Sequence, residues 1–250
     1  MKIHIFDTED EMARSAAKHA AEALKLAIAA RGQAAFVAAT GASQKRFLEA
    51  LTADSSVRWD KTTMFHLDEY VGITDAHPAS FRRYLRERLI NKVHPGHVHL
   101  IRGEAADPQA EASRISRIIS EVKIDVALVG VGENGHLAFN DPPADFGTER
   151  PFIVVSLDEA CRKQQVGEGW FSSFTEVPQN AITMSVRQIL KASTILCVVP
   201  EKRKALAVRG CFGDATVSPL YPASILKEHP EAHVYLDRQA ASLLKASGQD

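Results

Sequence analysis

The feature that most constrains this chain is a repeated alternation along its length. Short, largely apolar runs at residues 34–39, 63–67, 98–101, 124–130 and 192–199 are separated by segments whose apolar residues recur at helical spacing. Runs such as Ala-Ala-Phe-Val-Ala-Ala carry no polar residue on either face, so a strand made from them needs cover on both sides. Strands that alternate with helices build parallel βαβ units. The expected fold class is therefore α/β, a mostly parallel sheet with helices on both faces. Residues 3–6 and 233–236 read as a first and a last strand, the latter before a terminal helix.

Helix signals agree with that alternation. Thr8 followed by Glu11 is a capping-box pattern, and Gly32 stops the Ala-rich helix expected over 9–31. Further helices are expected over 80–92, 108–122 and 201–209. Residues 145–178 have the poorest periodicity. They read either as a lid hinged at Gly167-Glu168-Gly169 or as an irregular surface excursion. No internal repeat or linker divides the chain, and a single domain over residues 1–250 is the simplest organisation.

Composition narrows the function classes. Thirty Lys+Arg oppose 31 Asp+Glu, a net charge of -1, so the chain lacks the cationic excess of a nucleic-acid binder. A hydrophobic content of 45% excludes a disordered chain. Three cysteines without regular spacing form no disulfide framework and suit a reducing compartment. No apolar stretch approaches the ~20 residues of a membrane span, and no secretory leader is apparent. The expectation is a cytoplasmic protein with neither nucleic acid nor membrane as partner.

In an open parallel sheet, ligands bind beyond the carboxyl ends of the strands. Four loops should meet there. Thr40-Gly41-Ala42-Ser43 opens a helix, where free N–H groups and hydroxyls suit an anion; the alternative is an ordinary turn capped by Ser43. Asp68-Glu69 follows the strand at 63–67. One carboxylate suits a general base, and the alternative is a solvated turn. Gly130-Val131-Gly132-Glu133-Asn134-Gly135-His136 lets backbone approach a ligand closely. Its His136, with Asp141, suits a proton relay near neutral pH, unless the histidine is structural. Lys202-Arg203-Lys204 brings cations. His94, His97 and His99 lack a carboxylate or thiol companion, and no metal is expected there.

Leu67-Asp68-Glu69-Tyr70-Val71-Gly72, with His77-Pro78 and Ser80-Phe81 after it, resembles the signature of glucosamine-6-phosphate deaminases. So does the Gly-x-Gly-x-Asn-Gly-His-x-Ala-Phe-Asn core within residues 130–142. The resemblance implies a modified Rossmann-like fold and a cofactor-independent conversion of glucosamine 6-phosphate and water to fructose 6-phosphate and ammonia. By the same resemblance, Asp68 is the base between C2 and C1, and His136 opens the sugar ring with Asn134 and Asp141 supporting it. Thr40, Gly41, Ala42 and Ser43 form the phosphate loop and Lys204 clamps the phosphate, with Glu69 and Arg162 as further candidates. Asp141 stands where many members have Glu, and Asn134 where some have Asp. The basic residues that allosteric members use would fall in 152–155, which is apolar here, so no activation by N-acetylglucosamine 6-phosphate is expected. The family suggests a homo-oligomer. Alternatives are 6-phosphogluconolactonase, a galactosamine-6-phosphate deaminase and a noncatalytic sugar-phosphate sensor. The lactonase motif usually reads Asp-Gly-His-Thr-Ala-Ser, unlike this chain.

Overall fold

A computed structural model describes residues 1–245. Ten strands are formed: β1 (Lys2–Phe6), β2 (Ala34–Ala38), β3 (Thr62–His66), β4 (Asp68–Tyr70), β5 (His97–His99), β6 (Val126–Val129), β7 (Phe152–Ser156), β8 (Asn180–Met184), β9 (Thr194–Val199) and β10 (Ala232–Asp237). Seven of them make a sheet in the order β1-β10-β9-β6-β2-β3-β5, and every pairing in it is parallel. Every residue of β2 and β6 is buried, as their unbroken apolar sequences require. From β2 the chain works outward to β3 and β5. From β6 it works the other way to β9 and β10. The order thus reverses between β2 and β6, which opens a crevice at their carboxyl ends.

Eight α-helical segments accompany the strands: α1 (Glu9–Arg31), α2 (Lys45–Thr52), α3 (Phe81–Leu85), α4 (Asn91–Val93), α5 (Pro108–Ser120), α6 (Glu159–Gly167), α7 (Val186–Ile189) and α8 (Ala205–Phe212). Thr8 and Glu11 form the expected capping box, and Gly32 ends α1 at φ 77°. The alanines of α1, with Phe36, Leu128, Leu196 and Val198 of the sheet, form one apolar layer. Residues of α5 and α8 cover the opposite face with Val37, Phe65, Ala127 and Cys197. The two-sided cover inferred from the apolar runs is present. Among the described residues no helix is long and apolar enough to cross a membrane.

Several elements differ from expectation. Asp68-Glu69-Tyr70 is itself a strand, in a second, antiparallel sheet of order β4-β8-β7. The peptide of Leu67 belongs to both sheets: its N–H donates to the Ala38 carbonyl (3.3 Å), and its carbonyl accepts from Met184 N–H (2.9 Å). Residues 145–178 are not merely irregular, since they contain β7 and α6. The helix expected over 80–92 passes through a π turn at Arg86–Ile90. The one expected over 201–209 starts as a 3-10 turn, Lys202–Lys204, before α8. After β10 comes a 3-10 turn at Ala240–Leu243 rather than a longer helix, while residues 246–250 of the expected terminal helix lie outside the described residues.

Asp125 joins α1 to the sheet. Its carboxylate accepts the buried Ala35 N–H (2.9 Å) and pairs with Arg31. An unpaired buried amide costs about 1–3 kcal/mol. Asp125→Ala should lower the unfolding free energy by about that amount in denaturant titration, and leave kcat unchanged because Asp125 lies at the amino ends of the strands.

Candidate active site

The crevice is a cleft with about 520 Å³ of space, partly open to solvent. Thr40, Gly41, Ser43, Asp68, His136 and Lys204 all line it. Ala42 and Asn134 face the adjoining hollow instead. The convergence of the four loops on one sheet edge is therefore real.

At one end, Gly41 has φ 103°, a left-handed backbone that favours glycine. It turns the chain from β2 into the 3-10 turn Ala42–Gln44 that leads to α2. Ser43 is not a helix cap; the first residue before that turn is Gly41, with no side-chain cap. Gln44 pins the turn across the sheet, its Nε2 donating to the Val198 carbonyl (3.1 Å). A Cβ on Gly130 would come within 2.8 Å of that nitrogen, so a larger residue there would push the Gln44 amide from its place. Lys204 closes this end. It is 2% exposed, and burial pushes its ammonium down to about 8 against the upward pull of Glu168. Its neighbour Arg203 is taken up by Glu133 (2.7 Å), Glu168 (2.9 Å) and Glu201 (2.7 Å).

Asp68 and Glu69 are neighbours with different surroundings. Asp68 is almost wholly buried and no hydrogen bond to its carboxyl is formed among the described residues. Burial, then the Glu69 charge, pushes it up to about 8. Such a carboxyl is poised to exchange a proton near neutral pH. Glu69 points away from the cleft. Its carboxylate accepts from Ser80 Oγ (2.9 Å) and from the backbone N–H groups of Tyr70, Phe81 and Arg82 (3.0, 3.2 and 2.9 Å), holding the start of α3. Burial still raises it, with those bonds opposing.

The Gly-rich loop places His136. A Cβ on Gly132 would lie 2.1 Å from His136 Cε1, so the imidazole packs on bare backbone. His136 Nδ1 lies 3.2 Å from Asp141 Oδ1, but out of line, and has no hydrogen-bond partner. The shorter aspartate at 141 thus still reaches the ring. Burial pushes Asp141 up, yet the adjacent His136 ring, then the Asp158 and Asn134 bonds, bring it below the usual range. Asn134 Nδ2 donates to Asp141 and to Asp158 (both 3.1 Å), and its Oδ1 accepts the His136 N–H (3.1 Å). Its role is to brace the loop rather than to face the cleft.

Residues 145–178 cover the cleft through α6. Asp158 caps that helix by accepting the Cys161 N–H, and its own N–H donates to Asp141 (3.1 Å). Gln164, Gln165 and Glu168 line the cleft. Gln164 accepts from Glu133 N–H (2.9 Å), and Gln165 accepts from Tyr70 Oη (2.6 Å). Beneath them Tyr70, Phe81, Phe139 and Phe171 form a small apolar cluster that also buries Cys161. Burial, then the charges of Asp141 and Asp158, pushes the Cys161 thiol well up. Arg162 does not reach the cleft. It donates to the Phe174 and Val177 carbonyls (both 2.9 Å) and lies over the Phe174 ring. Gln44, Asp158, Gln164, Gln165 and Glu168 were not legible as site residues. Arg203 was visible as part of a basic cluster, without its carboxylate partners.

The profile of the family described as glucosamine-6-phosphate isomerases/6-phosphogluconolactonase matches residues 7–235. The chain belongs to this family. It is 38% identical to a glucosamine-6-phosphate deaminase of Exiguobacterium sp. (strain ATCC BAA-1283 / AT1b) over 75% of this chain and 74% of that one. The glucosamine-6-phosphate deaminase of Oenococcus oeni is 32% identical, covering 98% and 99%. Among solved structures, a monomeric glucosamine-6-phosphate deaminase superimposes with TM-score 0.89 at 30% identity, covering 97% and 100%. A 6-phosphogluconolactonase from Shewanella baltica shares the fold, with TM-score 0.78 at 20% identity over 95% of this chain and 97% of that one. The family resemblance carried by the two motifs is thereby established over nearly the whole chain.

The contact between Gly132 and His136 gives a direct test. Gly132→Ala should displace the imidazole and cost about 1–3 kcal/mol of stability. Activity should fall by about 10²–10⁴-fold, the usual worth of a positioned acid/base, as read by kcat with folding checked by circular dichroism.

Proposed function

We propose that this protein is a glucosamine-6-phosphate deaminase, converting glucosamine 6-phosphate and water to fructose 6-phosphate and ammonia. The observation that carries the reading is the buried Asp68 carboxyl, pushed up to about 8, in one cleft with His136 and with a Gly41–Lys204 anion end. The deaminase relatives at 32–38% identity support the same assignment.

The residues divide the work as follows. The substrate phosphate sits on the start of the 3-10 turn at Ala42, with the hydroxyls of Thr40 and Ser43 and the ammonium of Lys204 around it. This remote binding orients the sugar. His136, steadied by Asp141 and Asn134, moves the proton that opens the ring. Asp68 takes the proton from C2, giving an enolamine, and returns one to C1. The resulting C2 imine adds water and releases ammonia. No redox step occurs, so the chemistry calls for acid, base and anion binding alone. Glu69 acts on Asp68 through its charge, and Arg162 fastens the cover rather than the phosphate. Movement of α6 about Gly167 and Gly169 admits the substrate, and Gly169 already has φ 78°.

Purified protein should release ammonia and ketose phosphate from glucosamine 6-phosphate. No ammonia from glucosamine or galactosamine 6-phosphate, with rapid opening of 6-phosphogluconolactone, would replace this reading with the lactonase. Asp68→Asn should abolish solvent-deuterium exchange at C2 while leaving substrate affinity within a few-fold; wild-type exchange would remove Asp68 from its role.

The pH profile follows from two groups. Asp68 must be ionised, a condition met as pH rises through about 8. Lys204 must be charged, a condition lost as pH rises through about 8. kcat/KM should therefore peak near pH 8 and fall on both sides. The alkaline limb should vanish in Lys204→Arg, because a guanidinium stays charged. It should also weaken in kcat, since bound phosphate holds the ammonium in its charged form.

A further inference from the structure

Behind the catalytic face of His136 lies a second chemical grouping. A His136 ring nitrogen, an Asp141 carboxylate oxygen and Cys161 Sγ all lie within 4.8 Å of one another, the one such convergence of three His, Cys, Asp or Glu side chains among the described residues. We propose that these three side chains form an inhibitory site for a borderline-soft divalent cation, of which Zn²⁺ is the type. The inference that occupancy inhibits rests on the deaminase reading. The inference that the cation binds does not.

Three observations carry it. The donor set is nitrogen, carboxylate oxygen and sulfur, the set that Zn²⁺ takes with three protein ligands and an open fourth position. His136 is 9% exposed, and its Nδ1 has no hydrogen-bond partner although it points toward Asp141 at 3.2 Å. An unpaired buried nitrogen is costly to leave unmet, and a cation would meet it. The ligands also come from two separate elements, the catalytic loop and α6. Zinc bonds of about 2.0–2.3 Å need ligand atoms about 3.3–3.7 Å apart. The present spacing requires only a short movement of Cys161 with its helix.

Binding is a ligand exchange without redox change. The Cys161 S–H bond breaks, an S–Zn bond forms, and the proton leaves to solvent. His136 Nδ1 and Asp141 give lone pairs to the cation. Two consequences follow for the site. The histidine and its carboxylate are withdrawn from proton transfer, and α6 is tied to the loop beneath it, so the cleft cannot open. His136 lines the cleft, so the cation enters by the substrate's own route. Cys197 and Cys211 are also buried but have no histidine or carboxylate in such a grouping.

The test uses the whole chain, stripped with a chelator and titrated with ZnCl₂ or CoCl₂. Wild type should bind close to one equivalent, give a thiolate-to-cobalt charge-transfer band, and lose deaminase activity in a way that EDTA reverses. Cys161→Ala should keep its basal activity and cobalt-free spectrum. It should lose the band and need about tenfold or more Zn²⁺ for half inhibition. Cys161→Ser serves as the second variant should the alanine destabilise the apolar cluster. A thiolate band or Zn²⁺ sensitivity that survives in both variants would overturn the proposal, as would absence of the band in wild type. The cobalt band is independent of turnover, so loss of the deaminase reading leaves the binding claim separately testable.

Discussion

The peptide of Leu67 is the hinge on which the site depends. Its N–H belongs to the parallel sheet and its carbonyl to the antiparallel one. A single residue therefore carries the chain from the end of β3 to the start of β4, and the first side chain after it is Asp68. Both sheets fix the backbone on either side. The carboxyl is held at the carboxyl-terminal edge of the main sheet, away from water and beside a second carboxylate. Those are the two conditions that push an aspartate up to about 8. The cost falls on stability. Because Asp68 holds its proton more tightly folded than unfolded, stability declines as pH rises from about 4 toward 8. Glu69 adds to that cost through its charge, and its four hydrogen bonds to α3 and Tyr70 offset part of it.

A net charge of -1 conceals a strongly uneven distribution. The cleft gathers Lys204 and the turn at Gly41 at one end, with Asp68 and His136 elsewhere on its wall. Around the cover, Arg203 meets three glutamates. Glu168 stands between these groups. It pairs with Arg203, accepts from Trp170 and Gln164, and raises Lys204. The same carboxylate thus raises Lys204 and ties the end of α6 to Arg203.

Much of this was legible in the sequence, for identifiable reasons. The parallel sheet followed from runs such as residues 34–39, whose apolar character on both faces admits few other environments. The site edge followed from asking what comes after those runs, which named Gly41, Asp68, His136 and Lys204 together. What escaped was non-local. β4 is three residues with two acids, and only its pairing with β8, over a hundred residues away, makes it a strand. β7 is apolar enough to be one but lay inside a stretch without helical period. Gln165 meets Tyr70, and Glu168 meets Arg203, across distances in sequence that no spacing rule spans. Glu69 and Asp68 are adjacent in sequence, and only the position of α3 separates a carboxylate that holds a helix start from one that lines the cleft. Arg162 misled because a basic residue near a phosphate loop cannot be told from one that fastens a turn.

The central claim is that burial at the junction of two sheets turns Asp68 into a base that works near neutral pH. Direct titration of its carboxyl by carbon-13 NMR, with the resonance assigned by its loss in Asp68→Asn, tests this without reference to turnover. The account requires a midpoint near 8 in the free protein. A midpoint near 4, the ordinary aspartate value, would contradict it.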